Sequence, residues 1–148
     1  MGRKNSRKHA FVLIYQAQFH EETEVTFLSQ HYLEQVQLDQ LEQERFENEK
    51  PEYLTAEDNK FIMGELHGTL ENLEMIDKII SENLIRWTID RISKVDLSIL
   101  RLAIYELKFV EDIPVGVAIS EAMHLAREFS DDESPNFING ILGKISQI

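Results

Sequence analysis

Residues 94 to 110 read KVDLSILRLAIYELKFV, in which Val95, Ile99, Leu102, Ala103, Leu107 and Val110 recur at intervals of three and four and cover more than one face. A helix that is apolar on more than one side has to be enclosed by other elements, so this segment is expected at the centre of a domain. The same spacing continues along nearly the whole chain, with only three prolines and six glycines to interrupt it. The expected fold is all-α, with about seven helices. A chain of 148 residues, 43% of them hydrophobic, can bury one core as a single domain or as two small halves. One domain over 1–148 is expected, with helical subdomains at 1–73 and 74–148.

Helix boundaries follow from capping residues. Asn5 or Ser6 can cap a first helix running to about Phe19, with Phe11, Ile14, Tyr15 and Gln18 on one face. Residues 21 to 53 are acidic and glutamine-rich, with an imperfect stripe of Phe27, Leu28, Leu33, Val36 and Leu41, followed by EQERFENEKPEY as a solvated helix end or linker. Thr55 and Asp58 have the spacing of a capping box. The helix they open carries Gly64 and Gly68 four residues apart, a spacing that can let another helix approach closely. Ile76, Ile79, Ile80 and Leu84 make a further stripe, ended by Asn83 or by RWTIDRI, whose Trp87 is expected to plug the core. Ser93 caps the central helix, within which Arg101 and Glu106 are expected as ion-pair members. EDIP separates it from VGVAISEAMHLAREF, and Ser134 as N-cap with Pro135 at the first helical position opens the last helix.

Catalytic and metal chemistry lacks a foothold. There is no cysteine, which excludes disulfides, thiolate metal sites and cysteine nucleophiles and suits a reducing cytoplasm. The five histidines fall in different segments without paired spacing, and HEET lacks the second histidine of a metalloprotease motif. The glycines form neither a P-loop nor a dinucleotide fingerprint, so no cofactor, metal site or enzyme activity is expected. No apolar run approaches the roughly 20 residues of a membrane span, and the first twenty residues lack the apolar core of a signal peptide. A cytoplasmic protein without membrane contact is expected.

Charge is unevenly spread. The formal net charge is -12, yet Arg3, Lys4, Arg7 and Lys8 stand in residues 1 to 20 with no acid beside them. Residues 21 to 60 hold twelve acids against three bases. Cations at a helix N-terminus oppose its macrodipole by a few tenths of a kcal/mol each, so local stability does not account for them. They are either a solvated tail or a local binding patch, whose field reaches about 8–10 Å.

From about residue 57 onward the chain resembles the NusB family of transcription antitermination and ribosomal RNA synthesis factors. The resemblance is carried by RWTIDRISKVDLSILRLAIYELKF, DIPVGVAISEAMHLAREF and SPNFINGIL in the family's order, and by the N-terminal SRKHAFVLIYQ. It covers about two thirds of the chain. Residues 20 to 56 match poorly, being longer and more acidic than expected for the family.

The resemblance implies an adaptor that binds boxA, a short single-stranded RNA element, together with NusE, a small-subunit ribosomal protein, and then joins transcribing RNA polymerase. It also raises a homodimer of the free protein. The RNA contacts it implies fall on Arg3, Lys4, Arg7 and Lys8. Lys and Arg suffice to neutralise phosphates, whereas reading a single strand needs polar and aromatic groups that reach unstacked bases. ESPNFING at the start of the last helix is the expected completion, with Ser134 and its backbone holding a phosphate and Phe137 or Asn139, beside Gly140, touching a base. Tyr15, Gln16 and Gln18 are weaker candidates. For NusE, which is basic, the resemblance points to Asp90, Asp96, Tyr105 and Glu106. Asn5 and Ser6 dilute the family's arginine cluster here, and Asp131, Asp132 and Glu133 place negative charge before Ser134. Both departures weaken RNA binding and are expected to make affinity lean on the partner. The alternative is a helical protein–protein interaction module without RNA specificity of its own.

Overall fold

The computed structural model describes residues 1–147. Seven α-helices and one short 3-10 turn account for their regular structure: α1 (Arg3–Ala17), α2 (Glu22–Glu47), α3 (Ala56–Glu71), α4 (Leu73–Glu82), the turn at Ile89–Arg91, α5 (Lys94–Phe109), α6 (Val115–Phe129) and α7 (Ser134–Ser146). The all-α expectation holds. Two compact units divide the chain at Met1–Gly64 and Glu65–Ile148, so the division falls inside α3 rather than at the expected 73/74 junction.

In the first unit, α1 starts earlier than Asn5 or Ser6. Gly2 is its N-cap and its carbonyl accepts from Ser6 N at 3.0 Å, which puts Ser6 inside the helix, where it is buried. Ala10, Phe11, Leu13 and Ile14 form the buried face of α1, and Val25, Ser29 and Leu33 that of α2. At 1.5 Å per residue the 26-residue α2 is about 39 Å long, and its fully buried positions stop at Leu33. Phe27 is 72% exposed and Leu41 is exposed as well, so the expected stripe is only partly buried. The glutamines of α2 have a structural use that composition did not reveal. Gln37 Nε2 donates to the Leu54 carbonyl at 3.1 Å, Gln40 Nε2 to the Glu52 carbonyl at 2.9 Å, and Leu54 N donates to Gln40 Oε1 at 2.9 Å. These bonds satisfy the backbone of an irregular segment that would otherwise be left unpaired.

In the second unit α5 is central, packing against α4, α6 and α7. Leu97 through Leu100 and Leu102 through Ile104 are all buried, as its wrap-around apolar pattern requires. Each such Leu or Ile contributes about 1.5–3 kcal/mol by leaving water. Ser93 caps α5 as expected, its hydroxyl accepting from Asp96 N at 3.1 Å. Arg101 is the expected ion-pair member: its guanidinium donates to both carboxylate oxygens of Asp77 at 2.9 and 2.8 Å, pinning α5 to α4 in a bidentate pair. No helix among the described residues is long and apolar enough to cross a membrane.

Candidate nucleic-acid interface

The basic head is anchored, not frayed. The Met1 ammonium donates to the Tyr53 carbonyl at 3.0 Å and lies 3.4 Å from the Asp58 carboxylate. Asn5 Nδ2 donates to Glu52 Oε2 at 3.1 Å. Arg3, exposed, holds its guanidinium carbon 4.1 Å from the centroid of the Phe61 ring, a cation–π contact that leaves the edge of the charge open to solvent. Lys4 is exposed and Lys8 half-buried. Arg7 departs from expectation: it is buried, with its guanidinium 5.8 Å from the same ring, so it sets the arrangement beneath the patch rather than forming its accessible surface. His9 adds no charge at neutral pH, because burial first and the neighbouring Lys8 second push its pKa down, and it shares a 2.9 Å hydrogen bond with the Tyr32 hydroxyl. Tyr15 is half-buried and packs edge-on against Phe19; Gln16 is exposed and Gln18 half-buried.

At the other expected site, Ser134 is the first residue of α7 and not its N-cap, a position taken by Glu133. Its hydroxyl is buried and donates to Asp96 Oδ2 at 2.9 Å, while Ser130 donates to Asp96 Oδ1 at 2.5 Å. Two hydroxyls thus satisfy a buried carboxylate, which closes the α5, α6 and α7 termini on one another. This removes both Ser134 and Asp96 from the accessible surface on which each is expected. Phe137 is half-buried, and Asn139 and Gly140, two and three residues further along α7, are exposed.

Trp87 corrects a second expectation. Instead of plugging the core it is 54% exposed and stacks on Phe137, with ring centroids 5.8 Å apart and planes 25° from parallel. A groove of about 450 Å³ opens beside the pair, between residues 83–87 and α7. The sequence signal for this site is the placement of the lone tryptophan between Arg86 and Arg91 in RWTIDR.

Of the residues expected to meet NusE, Asp90 is exposed and accepts a hydrogen bond from the Thr88 hydroxyl, which holds its carboxyl below the usual carboxylate range. Tyr105 is half-buried; burial first, then the charges of Glu65, Glu71 and Glu106, push its hydroxyl pKa up. Glu106 is buried, so its carboxylate cannot stand on an open face of this unit. No group of three or more potential metal ligands occurs among the described residues.

Comparison with known proteins places this arrangement. The NusB family model matches residues 4–147. The transcription antitermination protein NusB of Acetivibrio thermocellus is 40% identical over 149 residues, covering 100% of this chain and 90% of that protein. The solved T. maritima NusB superposes with a TM-score of 0.82 at 31% identity, covering 99% of this chain and 92% of that one. NusB from a crystal structure with NusE and double-stranded RNA superposes with a TM-score of 0.77 over 98% of this chain and 96% of that one, and at 24% identity its likeness speaks to the fold alone. The matches run from the basic helix through α7, and on them the chain belongs to the NusB family.

Proposed function

We propose that this chain is an antitermination adaptor that binds boxA-type single-stranded RNA together with NusE and brings both to transcribing RNA polymerase. The observation that carries the reading is the head of α1. In a chain of net charge -12, the first two turns of this helix hold four fixed cations and no acid, against the helix dipole. Arg3 and Lys4, with Lys8 behind them, neutralise phosphates; Arg7 positions them through the Phe61 ring. Asn139 and Phe137 supply base contacts. Asp90 offers a basic partner an ionised carboxylate at the surface, and Tyr105 its half-exposed ring. Membership of the NusB family supports the pairing with NusE, and the acidic run before Ser134 explains why the partner would be needed for affinity.

Fluorescence anisotropy of labelled boxA-type RNA, a scrambled strand and a duplex, with this protein, NusE or both across a salt series, tests the proposal. Selective binding that strengthens with NusE is expected. An Arg3→Ala/Lys4→Ala/Lys8→Ala variant should bind more weakly and lose about 0.7 of salt slope for each phosphate contact removed. Binding that is unselective even with NusE, or unaffected by the triple substitution, would overturn the reading in favour of a module that works through protein contacts alone.

A further inference from the structure

The groove beside Trp87 borders Phe137 in the second unit, and the proposed RNA contacts leave its other walls unexplained. Its walls bring together exposed apolar surface and positive charge. Ile85 is 81% exposed, and Trp87, 54% exposed, is stacked on Phe137. Such a pair is held by the offset stacking that aromatic rings favour, so the platform is preformed. Among the described residues, the ionisable groups lining the groove are Arg86 and Lys144, both exposed, and no carboxylate lines it, in a chain where acids outnumber Lys and Arg by 27 to 15. Asn136 adds an amide that can both donate and accept. The volume of about 450 Å³ lies within the range of about 300–1,000 Å³ typical of pockets for small ligands. Along α7, added bulk at Gly140 would meet nothing within 4 Å, so the floor is open.

A flat apolar platform flanked by two cations, with no acid among the described residues that line it, matches one ligand chemistry well: a planar base joined to a phosphate backbone. We infer that this groove is a stacking subsite for one unpaired base of a single-stranded RNA, with Trp87 as the platform, Ile85 as the apolar wall, and Arg86 and Lys144 holding the flanking phosphates. Every base has a π-face, so such a site is tolerant of sequence and adds affinity more than specificity. A duplex, whose bases are stacked on one another, cannot use it. The inference takes its ligand from the proposed RNA function but rests on residues separate from the basic head of α1.

Trp87 is the single tryptophan of the chain, so its fluorescence reports on this groove alone. Single-stranded boxA-type RNA should quench it in step with the anisotropy signal, with NusE present and a Trp87→Phe chain in the same mixture as the blank, whereas a duplex of equal charge should not. Trp87→Ala should lose about 5- to 150-fold in affinity for the single strand at an unchanged salt slope, and Trp87→Phe much less. Arg86→Gln and Lys144→Gln should each lower the slope by about 0.7. Anisotropy that shows tight, NusE-dependent binding while Trp87 fluorescence and the Trp87→Ala affinity stay put would overturn the subsite and leave the RNA function standing. Absence of binding by any strand would overturn both. Self-association without RNA in sedimentation that is lost in Trp87→Ala, with Trp87 quenching in the unsubstituted chain that grows in step with it, would assign the groove to a second copy of the chain and overturn the inference.

Discussion

Gly64 and Gly68 look alike in sequence, four residues apart on one helix, and the structure separates them. A Cβ on Gly68 would overlap the ring carbons and hydroxyl of Tyr105, whose ring is itself stacked on Phe109 with centroids 6.0 Å apart. Tyr105 cannot swing aside without unstacking. A Cβ on Gly64 meets nothing within 4 Å. Gly68→Ala should therefore destabilise by about 1–3 kcal/mol, the usual cost of overfilling a packed contact. Gly64→Ala should stabilise by about 0.5–1 kcal/mol, because glycine is the poorer helix former. Urea melts of the two variants check this, and equal effects would refute the assignment. Single residues were the least legible scale. Whether Ser134 faces a phosphate or a carboxylate depends on Asp96, 38 residues away, and whether Trp87 is core or surface depends on Phe137 arriving beside it. Neither partner is encoded in the local pattern.

Helices were legible where their ends are closed locally. Thr55 and Asp58 form the expected capping box: Asp58 N donates to Thr55 Oγ1 at 3.1 Å and Thr55 N donates to Asp58 Oδ2 at 2.9 Å. The start of α1 was misplaced because its closure is tertiary, with the Glu52 carboxylate accepting from Asn5 Nδ2 and facing Gly2 N at 3.4 Å. The periodicity of α2 identified a helix but not how much of it a core would cover. The capping box carries a pH dependence of definite sign. The bond from Thr55 N chiefly, with the Thr55 hydroxyl and the chain's ammonium also contributing, holds the Asp58 pKa below the ordinary carboxylate value against the opposing effect of burial. A depressed folded-state pKa means the stabilisation is complete above the unfolded value of about 4 and is lost as pH falls through the lowered one. Thr55→Ala should cost about 1 kcal/mol at neutral pH. The stability gap between the native chain and Asp58→Ala should be constant from pH 7 to about 5 and narrow below about 4. A gap that widened on acidification would show that the carboxylate is not held by these bonds.

Over the whole molecule, charge works in two opposed directions, and salt separates them. A net charge of -12 on 148 residues repels itself, and in the folded chain the twelve acids of residues 21 to 60 are confined to a smaller volume than in the unfolded one. Screening relieves this repulsion, so raising salt from about 10 mM to about 150 mM, which shortens the Debye length from about 30 Å to about 8 Å, should raise the melting temperature of the free protein. The proposed RNA contact depends on a few cations at one helix head and releases counterions from the phosphates they meet, so the same salt change should weaken it steeply. Global and local charge thus predict opposite signs for stability and affinity over one salt range. Calorimetry of the free chain and anisotropy of its RNA complex, run on matched samples, check both. If the two rose together, the field at the α1 head would be that of the acidic molecule around it, and four cations would not suffice to make a local anion site. If melting were insensitive to salt while RNA binding fell, the acids would already be paired or far enough apart in the fold for self-repulsion to be negligible. The basic patch would then act on a molecule whose acidity shapes its choice of partners and not its stability.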